Sequence, residues 1–487
     1  MEPTRRAVLG GAAVVTAATA VLARSALDAG GDEVDLSTLR RPGEPDDGAA
    51  FRRAVATGRP IYAPAGKGGG PGGRYVLGSD DRDNLPSGLR LRGDGMGATV
   101  FAIAPDKPFL LHCDSRSADV RRNIVGLRFA DLTFESDVPE RGFSEFEYLV
   151  MLNGVTDARF DRVGFRGFRG DGLHLGSSTV LARERHNRRV VVSDCEFDGI
   201  NANNRNALSV LDCDGLLVER CRFLNCTRTG DGTTKAGDKW NVRTGLGMPG
   251  PIDVEPNATP FAIIRDIVIR GNRFRGGGGY AVALHFLPNS FATVPQAGVR
   301  VVGNVVEDRV GGFDMTGYPG AEAMSGGPGY DVAFEDNEVR RCATPFRISG
   351  TRGLVMAGNR FLDCADRAEL NNNAAIADAV VRGNSFERIG SAADPFGLWI
   401  RDCDRLDIVG NSFVDCGGPG GGGTAIAVAA GTPKRLSVAG NEFRSPGGRM
   451  ANAMLAFRDA KLDPRQISLS SNRFGPGVTP IDRTLSL

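Results

Sequence analysis

The chain of 487 residues is almost electrically neutral, with 59 Lys and Arg against 58 Asp and Glu and a formal net charge of +1. This balance gives no support for a nucleic-acid partner, because nucleic-acid binding depends on clustered basic side chains. The 67 glycines indicate many turns and few long helices.

The N-terminus has the pattern of an export signal. Thr4-Arg5-Arg6 precedes an apolar run over residues 10–23, and small residues follow. A charged start, a short apolar core and small residues predict a cleaved signal peptide over residues 1–29 rather than a membrane span. The arginine pair resembles a twin-arginine (Tat) signal, and an ordinary secretory signal is the alternative. We therefore expect a protein that is secreted by the Tat route and has no membrane association after cleavage.

Residues 30–105 are predicted to form an N-terminal cap and the first turns of a repetitive domain. Residues 46–55 read as a short amphipathic helix with Asp46 and Asp47 at its start, where acidic side chains are favourable. Short apolar segments at 61–66, 75–77 and 89–95 follow. A cap of this kind covers the open end of a stack of repeats.

A short unit recurs through residues 106–480, which are predicted to form the main domain. It is clearest as Arg270-Gly271-Asn272-Arg273-Phe274, with Asn and an apolar residue two places apart. The Asn recurs every 22–33 residues, at Asn272, Asn304, Asn337, Asn359, Asn384, Asn411, Asn441 and Asn472. Earlier copies place Val163, Cys195 and Cys221 in the Asn position. A fixed period of this size is typical of a solenoid.

The ladders of Asn and Phe resemble those of the right-handed parallel β-helix proteins in the pectate-lyase-like superfamily. This resemblance covers about residues 40–480 and implies an all-β, single-domain solenoid with a short N-terminal capping helix. The Asn amides would hydrogen-bond along the axis while the Phe rings stack inside. It also implies carbohydrate substrates.

A second strand lies between successive Asn units, and its apolar pairs fix which residues face outward. In Ile252-Asp253-Val254-Glu255, for example, Ile252 and Val254 point inward. The outward residues of successive strands are His174, Ser209, Asp253, Ala283, Asp314, Arg347, Trp399 and Ala427. The next outward positions hold Glu255, His285, Thr316, Ser349 and Arg401, while the strand around Glu369 is ambiguous. Because stacked turns are about 4.8 Å apart, these residues are predicted to form one exposed polar row.

Asp253 and Glu255 are the predicted catalytic pair, and Asp314 is the alternative partner. Two residues apart on one strand, their carboxylates would lie about 7 Å apart, which suits acid and base roles at a glycosidic bond. The alternative interpretation is an ion pair with Arg347 or Arg243 that only holds a loop.

The predicted substrate-binding residues line the same face. The long connection 227–248 is interpreted as one wall of the cleft, because long loops are often functional. The predicted set is His174, Asp171, Ser209, Trp240, Arg243, His285, Arg347, Trp399 and Arg401. Trp240 and Trp399 would stack on sugar rings. The alternative roles are a turn residue for Asp171 and a loop anchor for Trp240.

These residues favour a glycoside hydrolase that needs no metal or other cofactor and acts as a monomer on a polysaccharide or oligosaccharide. The first alternative is a polysaccharide lyase with Arg347 or Arg401 as base and Ca²⁺ held by Asp253, Glu255 and Asp314. The second is a carbohydrate-binding β-helix protein without turnover. No catalytic motif of a known family is present, so every role is assigned from the residues themselves.

The nine cysteines are an odd number, so at least one thiol is unpaired in the monomer. Cys342 and Cys364 occupy equivalent positions of successive repeats, as do Cys195 and Cys221. Each pair would form either a disulfide or two stacked thiols. The absence of a Cys-x-x-Cys spacing argues against structural zinc.

Overall fold

The computed structural model describes residues 32–66, 73–78, 85–105, 107–114, 122–177, 184–229, 249–257, 259, 261–286, 297–317, 331–370, 376–429, 434–457, 465 and 467–482. The predicted signal peptide lies outside the described residues, as does most of the long connection, with Trp240 and Arg243.

The described residues coil into two long sheets, and every strand pairing among them is parallel. The sheet that carries the polar row, called here the row sheet, has 13 strands. They are Phe109–Asp114, Tyr148–Asn153, Leu173–Gly176, Leu208–Val210, Ile252–Val254, Tyr280–His285, Gly311–Thr316, Thr344–Ser349, Ala368–Leu370, Phe396–Ile400, Gly423–Val428, Met450–Ala456 and Thr479–Asp482.

The second sheet, called here the ladder sheet, has 29 strands, because most turns contribute two strands on either side of the Asn position. They are Val34–Asp35, Ile61–Tyr62, Arg74–Leu77, Arg90–Arg92, Val100–Ile103, Ile124–Val125, Arg128–Glu135, Val155–Thr156, Arg159–Arg166, Arg188–Ser193, Glu196–Asp198, Cys213–Glu219, Arg222–Leu224, Ile264–Arg270, Arg273–Arg275, Ala297–Val302, Val305–Glu307, Val332–Glu335, Glu338–Arg340, Val355–Ala357, Arg360–Leu362, Ile376–Arg382, Ser385–Glu387, Cys403–Val409, Ser412–Val414, Lys434–Ala439, Glu442–Arg444, Ile467–Ser470 and Arg473–Phe474.

Helices are few and short among the described residues. They are the 3₁₀ helix Leu36–Leu39, α1 (Gly48–Ala56) and α2 (Val138–Arg141). Helix α1 lies where the sequence predicts it, and the Asp46 carboxylate accepts a hydrogen bond from the Gly48 amide at its start. Phe51 of α1 packs edge-on against Phe101, so the helix joins the apolar interior at the N-terminal end.

The predicted Asn ladder is continuous. The Asn337 side-chain oxygen accepts from the amide and side-chain nitrogens of Asn304, each at 2.9 Å. Its side-chain nitrogen donates to the Val301 carbonyl and to the Asn359 side chain. The same pattern runs from Asn272 to Asn472. Each amide thus satisfies backbone groups at a buried bend, where orphaned polar groups are costly.

The residue before each ladder Asn has a left-handed backbone conformation. Gly271 and Gly383 both have φ of 62°, and Asp336 takes φ of 53° in a turn that lacks Gly. This explains why Gly so often precedes the Asn, since it adopts positive φ without steric cost.

The apolar interior confirms the predicted Phe ladder. Phe197 lies between Phe165 and Phe223, with ring centroids 4.5 and 4.9 Å apart and nearly parallel planes. Phe386 and Phe413 stack in the same way at 4.8 Å. All nine cysteines are buried with free thiols, so the two adjacent pairs are thiols and not disulfides.

The architecture is therefore the predicted all-β, single-domain parallel β-helix with a short N-terminal helix. Among the described residues, no helix combines the length and the apolar character needed to cross a membrane.

Candidate functional site

The polar row of the row sheet has the predicted register. His174 pairs with Ser209, Ser209 with Asp253, Asp253 with Ala283 and Ala283 with Asp314. The row continues through Arg347, Glu369, Trp399 and Ala427. Glu369 is therefore a member of the row, which settles the strand that the sequence left ambiguous.

The row is not the exposed face that the sequence predicts. Asp253 is 1% exposed and Asp314 3%, and Asp171 is completely buried. The alternation of side chains fixes which face a residue occupies, but it carries no information about what covers that face. Because unpaired buried charges are very costly, each of these carboxylates must have partners.

A groove of about 700 Å³ lies over the first half of the row. Its described lining is Glu145, Phe146, Tyr148, His174, Arg205, Leu211, Glu255, Pro256, Asn257, His285, Phe286 and Thr316. Acidic, aromatic and imidazole side chains therefore face the same open space.

Arg205 is the centre of the charge network, and the sequence analysis missed it. Its Nη1 lies 3.2 and 3.3 Å from the two carboxylate oxygens of Asp171. Its Nη2 is 3.8 Å from both Asp253 Oδ2 and Glu255 Oε2, and its Nε is 3.8 Å from Glu145 Oε1. One guanidinium thus holds four carboxylates. Arg205 precedes a row strand in a turn without the repeat pattern, so no periodic signal pointed to it.

Asp253 lies beneath the groove, in contact with Arg205 and His285, which line it. Asn206 donates a hydrogen bond of 3.0 Å to its Oδ2, while its Oδ1 lies 3.8 Å from His285 Nδ1 and has no hydrogen-bond partner among the described residues. The pKa of Asp253 is raised to about 7, chiefly by burial; Arg205 and His285 oppose this rise, whereas Glu255 and Asp171 contribute to it. Asp253 therefore retains a proton close to neutral pH.

Glu255 has a different environment from Asp253. It follows the end of the strand Ile252–Val254, and its side chain is 54% exposed at the groove. The predicted pair thus consists of one buried and one exposed carboxyl group that share a single guanidinium.

Two histidines of the groove are each backed by a buried aspartate. His174 Nδ1 lies 2.8 Å from Asp171 Oδ2, and His285 Nε2 lies 3.0 Å from Asp314 Oδ2. Burial would raise the pKa of Asp171, but Arg205 and His174 outweigh it and hold the pKa below its usual range. Burial would lower the pKa of His285, but Asp314 and Asp253 outweigh it and raise the pKa.

Arg347 does not make the ion pair proposed as the alternative to catalysis. Its Nε donates to Asp314 Oδ1 at 3.0 Å, and its guanidinium lies 5.2 Å from the centre of the Tyr280 ring. The cation beside Asp253 and Glu255 is Arg205. Arg243, the other candidate, lies outside the described residues.

The remaining predicted binding residues occupy different places. Ser209 is buried, and its hydroxyl accepts hydrogen bonds from Arg205 and Asn206. Trp399 belongs to the row but packs against Phe396 and under the Arg367 guanidinium, 4.1 Å from its ring centre. Arg347, Trp399 and Arg401 are not among the described residues that line the groove.

Glu145 and Tyr148 are further groove residues that the sequence analysis missed. The Tyr148 ring stacks on His174, with centroids 4.5 Å apart and planes inclined by 21°. Its strand, Tyr148–Asn153, pairs with the His174 strand, but the residue opposite His174 is Met151, so the register of the row gives no signal for Tyr148. Among the described residues, no group of three or more His, Cys, Asp or Glu side chains is arranged to hold a metal ion.

Comparisons with known proteins agree with the architecture. The sequence profile of the family described as "Right handed beta helix region" matches residues 267–467. No curated protein matches the sequence.

Two solved structures are similar along most of the chain. The mannuronan C-5 epimerase AlgE6 A-module of Azotobacter vinelandii has a TM-score of 0.56 and 14% identity, over 91% of this chain and 99% of that one. The N-terminal fragment of bacteriophage Phi29 gene product 12 has a TM-score of 0.59 and 13% identity, over 93% and 72%. At such identities the similarity concerns the fold alone. Together with the parallel sheets and the matching family profile, it shows that the chain is a right-handed parallel β-helix.

Proposed function

We propose that this protein is a carbohydrate-active enzyme that hydrolyses a glycosidic bond in the groove, with Asp253 and Glu255 as its carboxyl pair. The observation that carries the proposal is the contrast between the two groups. Burial keeps a proton on Asp253 near neutral pH, whereas Glu255 is exposed. A buried carboxyl group that keeps its proton beside an exposed carboxyl group is the usual arrangement for a general acid and its partner.

In this proposal Asp253 donates its proton to the glycosidic oxygen as the bond breaks, and the Glu255 carboxylate activates the attacking water. Asp253 is 1% exposed, so the substrate must reach it through the groove floor. Arg205 and His285 both contact Asp253 and line the groove, so they lie between Asp253 and a bound substrate.

His285 supports the pair but is a poor candidate for the acid itself. Its Nδ1 faces Asp253 and its Nε2 faces Asp314, so neither ring nitrogen is left to protonate a leaving group. We assign it the role of positioning Asp253 and binding the substrate. His174 and Tyr148 would bind the neighbouring sugar.

The fold neither requires nor excludes this activity. A mannuronan epimerase and a phage protein are both similar to this chain in fold, so the functional assignment depends on the residues of the site. The neighbours serve only as an analogy that β-helices can carry carbohydrate chemistry.

A polysaccharide lyase is the second candidate, because Tyr148 and His174 stack together in the groove beside Arg205, and both side-chain types can transfer protons. The predicted arginine base is less favourable. Burial would lower the pKa of Arg347, but Asp314 and Tyr280 outweigh it and raise the pKa, which keeps the guanidinium protonated. Any Ca²⁺ requirement belongs to this second candidate.

Incubation with a panel of neutral and uronate-containing polysaccharides tests the proposal. Hydrolysis produces new reducing ends without a rise in ultraviolet absorbance, whereas β-elimination produces an unsaturated product that absorbs. Binding without either product would favour a carbohydrate-binding protein. The control is Glu442→Gln, which removes a carboxylate on the ladder sheet far along the chain from the groove.

A further inference from the structure

We propose that the groove takes a glycan whose sugars carry no carboxylates, so that its substrate is a neutral or amino-bearing polysaccharide and not a polyuronate. This inference rests on the hydrolase assignment and specifies its substrate class. It comes from the charges and the hydrogen-bonding groups that the described lining presents.

Among the described residues around the groove, carboxyl groups outnumber guanidinium groups. Five carboxyl side chains contact its cations: Glu145, Asp171, Asp253, Glu255 and Asp314. Arg205 and Arg347 are the guanidinium groups that they contact. Arg205 has four carboxyl partners and Arg347 is bonded to Asp314, so a substrate carboxylate would compete with these partners for the two guanidinium groups. Binding of an anionic sugar would then leave a protein carboxylate buried and uncompensated, which costs several kcal/mol.

The hydrogen-bonding groups favour the same class. Glu145 and Glu255 line the groove and, when ionised, can only accept hydrogen bonds. Sugar hydroxyl and ammonium groups donate to such acceptors. A uronate carboxylate is itself only an acceptor, so it would face these side chains without a shared proton and with like charge.

The aromatic lining completes the argument. Phe146 is exposed at the groove, and Tyr148 and Phe286 also line it. Such rings pack against the apolar C–H faces of sugars, a contact that needs no charge on the ligand. The described groove is thus suited to a glycan that offers hydroxyl donors and apolar faces.

The test is affinity electrophoresis of the full mature protein through gels that contain matched polymers. Three polyuronates of different linkage are compared with their carboxyl-reduced forms, so that each pair differs only in the carboxylate. We expect at least one carboxyl-reduced polymer to retard the protein, with a dissociation constant about tenfold or more below that of its parent polyuronate. Glu255→Gln should reduce the difference in dissociation constant between each polyuronate and its carboxyl-reduced form, and the control Glu442→Gln should leave that difference unchanged.

Equal or stronger retardation by a polyuronate would overturn the inference, and so would the absence of retardation by every carboxyl-reduced polymer. The result can be separated from failure of the hydrolase assignment, because binding and bond cleavage are measured independently. Retardation by a neutral polymer without new reducing ends would keep the substrate class and reject hydrolysis. Cleavage of a polyuronate to new reducing ends would keep the hydrolase assignment and reject the substrate class.

Discussion

At the scale of single residues, Arg205 explains how the chain places two acids in one short stretch. Asp253 and Glu255 would repel each other, but both lie 3.8 Å from the same guanidinium nitrogen. The same side chain also compensates Asp171 and Glu145. A substitution at Arg205 should therefore affect the whole site.

Replacement of Arg205 by Gln should lower the free energy of unfolding by about 3–5 kcal/mol, because it leaves buried carboxylates without their cation. The matched control is Arg189→Gln, in an exposed ion pair with Asp157 on the ladder sheet, which should cost about 1 kcal/mol or less. Urea denaturation of both variants measures the difference. Equal losses would show that Arg205 is an ordinary surface partner.

The raised pKa of Asp253 predicts a pH-dependent cost to stability. Between pH 3.8, the usual pKa of an aspartate, and about pH 7, the folded protein binds the Asp253 proton more tightly than the unfolded chain does. Stability contributed by the protonated group is therefore complete below pH 4 and is lost as the pH rises through about 7. Asp253→Asn should abolish this loss, and the variant should gain up to about 4 kcal/mol relative to wild type between pH 4 and 8.

Urea denaturation at pH 5 and pH 8 measures this gain, with Glu442→Gln as a variant that should follow wild type. If the stabilities of wild type and Asp253→Asn change in parallel between these pH values, the raised pKa of Asp253 and the cost derived from it are contradicted.

At the scale of secondary-structure elements, the Asn ladder joins successive turns. Asn337→Ala should destabilise the protein by about 2–4 kcal/mol, because the buried Val301 carbonyl loses a donor, two Asn304 nitrogens lose their acceptor, and the Asn359 side-chain oxygen loses one donor. Asn472→Ala, at the end of the ladder where the side chain is only partly buried, should cost less than half as much, since water can replace the lost bonds. Thermal unfolding of the two variants compares them. Equal costs would mean that the ladder does not act through burial.

The sequence predicted the register of the row sheet because apolar pairs such as Leu173/Leu175 and Ile252/Val254 repeat with period two. That period leaves only one outward residue between the members of each pair. The same pattern contains nothing about the segments that cover a strand. It therefore predicted an exposed Asp253, and it gave no reason to choose Arg205, which lies in a non-repetitive turn.

At the scale of the whole molecule, a single solenoid brings together residues that are far apart in sequence. Glu145 and Asp314 line or underlie one groove because successive turns place strand beside strand. Short-range motifs could not reveal this assembly, whereas the repeat itself predicted the architecture.

Export is a property of the whole molecule, and we propose the Tat route on the basis of Arg5 and Arg6. Replacement of both by Lys should retain the protein in the cytoplasm, because the twin-arginine receptor reads this pair. Cell fractionation compares the variant with wild type, and a cytoplasmic marker enzyme checks for lysis. Unchanged export would assign the segment to the general secretory route.

The central claim is that Asp253 and Glu255 break a glycosidic bond, and the most direct measurement is the turnover rate of two variants on the polymer that the panel identifies. Asp253→Asn and Glu255→Gln should each lose on the order of 10²–10⁴ in rate while the proteins remain folded, as for loss of a general acid or base. Glu442→Gln should retain the wild-type rate. Glu255 is exposed, so its substitution should change stability by only about 0.5 kcal/mol. Full activity in both variants would contradict the account and transfer the catalytic assignment to Asp314 and Asp171.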